Sequence, residues 1–143
     1  MTTPQKKILT GIILASALLG GVAWVSPPAI PPKEPTVTNV IHLNAVAFPK
    51  LLTQSKPVII DFWAPWCGPC RTQGPILDQV SLLAGDRAIV AKVNVDEEQQ
   101  LAAQFGVQSI PTLVILRDGK VIKQFVGVQQ ANTLLGAIEV PAS

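Results

Sequence analysis

Asp61-Phe62-Trp63-Ala64-Pro65-Trp66-Cys67-Gly68-Pro69-Cys70 contains the only two cysteines of the 143-residue chain, separated by two residues. The apolar run Val58-Ile59-Ile60 precedes it and reads as a buried strand. Downstream, Ile76, Leu77, Val80 and Leu83 fall at i, i+1, i+4 and i+7, one face of a helix. The pair therefore lies at a strand-to-helix junction, with Cys67 at the helix start. A helix N-terminus carries about half a positive charge and unpaired N–H groups. Both stabilise a thiolate, so the Cys67 thiol is predicted to be more acidic than a free thiol. Cys70, one turn further in, is within reach of a mixed disulfide formed at Cys67. The chemistry local to this stretch is thiol–disulfide exchange.

Other uses of two cysteines fit less well. A structural zinc site needs four ligands, and the chain offers two Cys and the remote His42. Covalent haem attachment needs His directly after the second Cys, where Arg71 stands. A purely structural disulfide would close a very short loop, where the entropic gain is smallest. No dinucleotide fingerprint and no metal set occurs, so neither cofactor nor metal is expected.

The first residues read as a separate piece. Lys6 and Lys7 precede an apolar run from Ile8 to Val25, and residues 26–36 are a Pro-rich, extended linker. A positive flank followed by an apolar run is an export or membrane signal. As a helix, Ile8–Val25 is about 27 Å long against about 30 Å of hydrocarbon core. Trp24 would sit at the interface. Because the run continues past Ala23, residues 1–25 are read as a retained single-pass anchor. The alternative is a signal segment cleaved near Ala23, after Gly21-Val22-Ala23. With Lys6 and Lys7 on the cytoplasmic side, the rest of the chain would face a periplasm or lumen. The charged residues of 1–35 are Lys6, Lys7, Lys33 and Glu34, which account for the whole formal charge of +2. Residues 37–143 are thus charge-balanced, which gives no reason to expect nucleic-acid binding. They suit one small domain, expected to be monomeric.

Within that domain, Val37–Leu43 reads as a first strand, with His42 a surface residue near its end. Asn44 is a candidate cap for a short helix holding Phe48, Leu51 and Leu52, with Pro49 best placed in the first turn. Val58–Trp63 is a central strand covered on both faces. The cysteine helix runs from about Cys67 to Leu83, with a kink expected at Gly74-Pro75. Ala88–Val95 is a strand whose core residues are Ile89, Val90, Val93 and Val95. Asp96 is a candidate cap for a helix through Phe105, with Glu97 and Glu98 in its first turn and Gly106 ending it. Thr112–Leu116 and Val121–Val126 form a hairpin around Asp118-Gly119. A last helix covers about Gln129–Ile138. The order β-α-β-α-β-α-β-β-α predicts an α/β domain, a central mixed sheet with helices on both faces.

The stretch from Asp61 to Cys70 resembles the active-site signature of the thioredoxin family, in its bacterial and chloroplast form. The resemblance continues through Pro75-Ile76-Leu77-Asp78, Ala91-Lys92-Val93-Asn94-Val95-Asp96, Ser109-Ile110-Pro111-Thr112-Leu113 and Val126-Gly127. It covers roughly residues 37–140 and implies a thioredoxin fold behind an N-terminal hydrophobic helix. The tail lies outside the resemblance. Thr72-Gln73-Gly74 departs from the family's pattern, which has apolar residues there.

The resemblance implies a reductase of protein disulfides, with Cys67 as nucleophile and Cys70 as the resolving thiol. It implies that Asp61 is a buried carboxyl of raised pKa that takes the Cys70 proton, with Lys92 beside it. Gly68 and Pro69 would shape the active-site turn, Pro69 favouring reducing power, and Trp66 would be an exposed flank. Ile110-Pro111 resembles the family's cis-proline, whose Ile110 backbone would pair with an extended client segment, a form of β-augmentation. Gly127 would leave room for that segment. The expected partners are disulfide-containing client proteins and an electron-donor protein, either a membrane relay or thioredoxin reductase. A disulfide oxidase or isomerase, and a non-redox binding module on the same fold, are the alternatives.

Overall fold

The computed structural model of the chain describes residues 38–139. The anchor and linker expected at 1–25 and 26–36 lie outside the described residues. Among those that are described, no helix is long and apolar enough to cross a membrane.

Five strands form one sheet. In chain order they are β1 (Val40–His42), β2 (Val58–Trp63), β3 (Ile89–Asn94), β4 (Thr112–Arg117) and β5 (Lys120–Val126). Their order across the sheet is β1-β3-β2-β4-β5. β3 runs parallel to β1 and β2, whereas β4 is antiparallel to both β2 and β5. The helices are α1 (Phe48–Leu52), α2 (Gly68–Ala84), α3 (Gln99–Gln104) and α4 (Ala131–Glu139), with one 3-10 turn at Gly85–Arg87. This is the mixed sheet that the sequence order predicts.

β2 is the centre. Val58 to Phe62 are all buried, as a strand with neighbours on both edges and helices on both faces requires. Its side chains alternate between two cores. Val58, Ile60 and Phe62 pack with Leu51, Val93, Leu101 and Val114 on the face that carries α1 and α3. Ile59 packs with Leu77, Val80, Val90, Leu113 and Leu134 on the face of α2 and α4. Burying each such side chain stabilises the fold by about 1.5–3 kcal/mol. Asp61 shares the parity of Ile59, so it lies on the α2 face.

The buried stripe of α2 is Cys70, Gln73, Leu77, Val80, Ser81 and Ala84. Leu83, assigned above to the helix's inner face, is 53% exposed. The helical period carries the stripe to Ala84 instead. Pro75 lies inside α2, which is assigned as one helix from Gly68 to Ala84.

Two capping expectations are corrected. Asn44 Oδ1 accepts the Ala47 N–H at 2.8 Å, so it closes the turn ahead of α1, whose first turn holds Pro49. Asp96 does not cap α3, and Glu97 and Glu98 are not in its first turn, because α3 starts only at Gln99. The N–H groups of Glu97 and Glu98 both go to the Asn94 carbonyl. That extra turn delays the helix. Gly106, at φ 63°, ends α3 as expected.

The β4–β5 hairpin turns on Asp118 and Gly119, both at positive φ (51° and 71°). This is the signature of the two-residue turn that matches strand twist. β5 is an edge strand, which leaves Val121 and Val126 exposed.

Candidate active site

Cys67 is the N-cap of α2. Its backbone is extended (φ −81°, ψ 112°), and the Cys70 N–H points at its Sγ from 3.2 Å. Pro69 stands in the first turn, where its missing N–H costs no helical bond. Cys67 and Cys70 are joined as a disulfide, with Cα atoms 5.3 Å apart. In this oxidised form both are buried, at 4% and 3% exposure. The two cysteines form a small buried cluster with Ala64, against which Trp63, Val95 and Ile110 pack.

The Ile110–Pro111 peptide bond is cis. The carbonyl oxygen of Ile110 lies 3.8 Å from Cys67 Sγ, so the segment before β4 ends directly against that sulfur. Ile110 forms no backbone hydrogen bond with another described residue, which leaves its peptide groups available for pairing. The Pro111 carbonyl accepts the Gly127 N–H at 2.8 Å. Gly127 has φ 85°, and a Cβ placed on it would meet nothing within 4 Å. Its outer side is open.

Trp66 is 68% exposed, and its indole N–H donates to Asp96 Oδ2 at 3.0 Å. An open hollow of about 380 Å³ lies between Trp66 and the run Val107 to Ile110. Trp66 and Ile110 line this hollow; Cys67 touches it through Ile110, and Gly127 is bonded to the next residue, Pro111.

Asp61 lies on β2, six residues before Cys67. It is fully buried, and neither carboxyl oxygen has a hydrogen-bond partner. Burial pushes its pKa from 3.8 up to about 7, against the opposing pull of the Lys92 charge. Lys92 is its register partner on β3. The ammonium sits 4.6 Å from the centroid of the Trp63 ring and 3.8 Å from where a Gly74 Cβ would stand.

The contacts join Cys67 and Cys70 to Ile110, Pro111 to Gly127, and Asp61 to Lys92 across β2 and β3. Two others were not anticipated. Asp96 holds Trp66. Gln73 is fully buried and pairs with the backbone of Gln129. Its signal was present: three residues after Cys70 is the same helix face. Among the described residues no group of three or more His, Cys, Asp or Glu could hold a metal ion.

The family model for thioredoxin matches residues 39–140. The chain belongs to the thioredoxin family. It is 44% identical over 92 residues to a thioredoxin of Alicyclobacillus acidocaldarius, an alignment covering 64% of this chain and 88% of that one. Against thioredoxin 1 of Synechococcus elongatus it is 43% identical over 90 residues, covering 63% and 84%. Among solved structures, thioredoxin of Malassezia sympodialis superposes with a TM-score of 0.64 at 36% identity, covering 71% of this chain and 89% of that one. A mutant thioredoxin from Halobacterium salinarum gives 0.65 at 34% identity, covering 71% and 88%. With its paired cysteines, this thioredoxin-family chain is a thiol–disulfide oxidoreductase, an enzyme that reduces protein disulfides.

Proposed function

We propose that Cys67 attacks a client disulfide and Cys70 resolves the product. In the first step Cys67 Sγ bonds to one client sulfur, and the other leaves as a thiolate that takes up a proton. In the second, Cys70 loses its proton and attacks Cys67 Sγ, releasing the second client thiol. The client disulfide gains two electrons and two protons, and the Cys67–Cys70 dithiol becomes a disulfide. The observation that carries the reading is the placement of Cys67. It heads α2 with the Cys70 N–H aimed at its sulfur, and the Ile110 carbonyl is 3.8 Å away.

Asp61, as carboxylate, receives the Cys70 proton, and Lys92 sets the pH at which it can. A client segment lies along Ile110, with Trp66 on one side and Gly127 on the other. Insulin reduction by the wild type and by Cys70→Ser tests the scheme. Wild type should turn over, and the variant should stop after one attack. Equal turnover by both would overturn the scheme.

The sequence supports a tether as well. Lys6 and Lys7 before the Ile8–Val25 run, and the Pro-rich linker after it, fit a single-pass anchor with the catalytic domain outside the cytoplasm. Such compartments are oxidising, so the disulfide formed at each turnover needs an electron donor that spans the membrane. A reporter fused after Ser143 tests this. A cytoplasmic signal would contradict it and favour thioredoxin reductase as the donor.

A further inference from the structure

Gln73 is among the largest fully buried side chains of the described domain, in a position one helical turn beyond Cys70. Burying an amide is costly unless its polar atoms are paired. Both are paired, and with one residue. Gln73 Oε1 accepts the Gln129 N–H at 2.7 Å, and Gln73 Nε2 donates to the Gln129 carbonyl at 3.3 Å. The side chain thus bonds Gln129 as a facing residue does in an antiparallel ladder.

Residues 127–130 belong to no helix or strand. They start at Gly127, whose φ of 85° is a conformation that glycine adopts without steric cost. Two further bonds connect this segment to the cis-proline. Gln129 Nε2 donates to the Gly127 carbonyl at 3.3 Å, and the Gly127 N–H donates to the Pro111 carbonyl at 2.8 Å. A continuous series of contacts therefore runs from the cysteine helix through Gln73, Gln129 and Gly127 to Pro111. An apolar side chain of equal volume would fill the space under α2, but it would hold nothing in register.

We propose that Gln73 is a positioning residue: it clasps the segment 127–130 to α2, so that the Gly127 wall of the client groove stands at a fixed place relative to Cys67. The proposal rests on the reading that clients lie between Ile110 and Gly127. It concerns recognition of extended protein clients and leaves the sulfur chemistry untouched. A small aromatic disulfide makes no use of the groove wall and should not sense the clasp.

The test compares Gln73→Met, which keeps the volume and removes both bonds, with the wild-type full-length chain. The substrates are insulin and dithiobis(nitrobenzoate). KM for insulin should rise about fivefold, as expected for losing a hydrogen-bonded anchor. Its kcat and the rate with the small disulfide should stay within about twofold. An unchanged KM, or a parallel fall with both substrates, would overturn the clasp. A wild type inert toward both would instead overturn the reductase reading. Should Gln73→Met not fold, amide hydrogen exchange on the wild type decides. The Gln129 N–H should be protected like the interior amides of α2. Exchange as fast as at the exposed Gly119 turn would refute the proposal.

Discussion

Asp61 and Lys92 are register partners across β2 and β3, yet they do not form an ion pair. The Lys92 ammonium rests over the Trp63 ring at 4.6 Å, while both Asp61 oxygens are buried without a hydrogen-bond partner. The lysine's charge moderates the carboxyl without neutralising it. Desolvation prevails, and the group titrates near neutrality, at about 7. That value suits the proton-accepting role proposed for Asp61.

The buried carboxyl should cost stability. Its folded pKa of about 7 lies above the ordinary 3.8, so the folded state binds the proton more tightly. Its contribution is fully present below about pH 3.8 and is lost as pH rises through 7. Asp61→Asn, which cannot ionise, should match wild type in acid and exceed it above neutrality, by up to about 4 kcal/mol. Urea unfolding at pH 5 and pH 8 checks this. A stability difference that does not grow with pH would contradict it.

The same group should shape the rate. Wild-type resolution of the mixed disulfide should slow as pH falls through about 7, where Asp61 becomes protonated. Asp61→Asn should be slower at pH 8 and lack that inflection. Stopped-flow release of the client thiol across the pH range is the measurement.

Lys92→Met removes the charge that lowers the Asp61 pKa. The inflection in the wild-type profile should then move to higher pH, with a slower rate at pH 7. An inflection that stays in place would mean the lysine acts only as packing on Trp63.

Trp66 is held on the surface by one bond, from its indole to Asp96. Asp96→Ala should therefore leave stability within about 1 kcal/mol, as for an exposed contact. KM for insulin should rise a few-fold because the flank of the groove is no longer fixed. A KM equal to wild type would remove Trp66 from the list of client contacts.

Much of this architecture is legible in the sequence, for particular reasons. β2 carries an unbroken apolar run because both of its faces are covered, and its bounds match the expected ones. The Asp-Gly pair fixes the hairpin because it tolerates positive φ at both residues. His42 is exposed, as expected for a strand at the sheet edge. The misses are tertiary. Leu83 reads as core by hydrophobicity, but the geometry of α2 turns it outward and buries Ala84 and Ser81. Asp96 reads as a cap, yet Asn94 satisfies the local N–H groups and leaves Asp96 for an indole thirty residues away in sequence. Gln73 shares the face of Cys70, but its amide has no partner near in sequence: the backbone that receives it lies 56 residues further on.

The division of labour between the two sulfurs is the centre of the mechanism, and trapping tests it most directly. Full-length Cys70→Ser and Cys67→Ser should each be reduced, mixed with oxidised insulin, quenched with acid and analysed by intact mass. Cys70→Ser should accumulate a covalent adduct through Cys67, because attack proceeds and resolution cannot. Cys67→Ser should accumulate none. An adduct on Cys67→Ser, with Cys70→Ser left free, would reverse the roles and contradict the account.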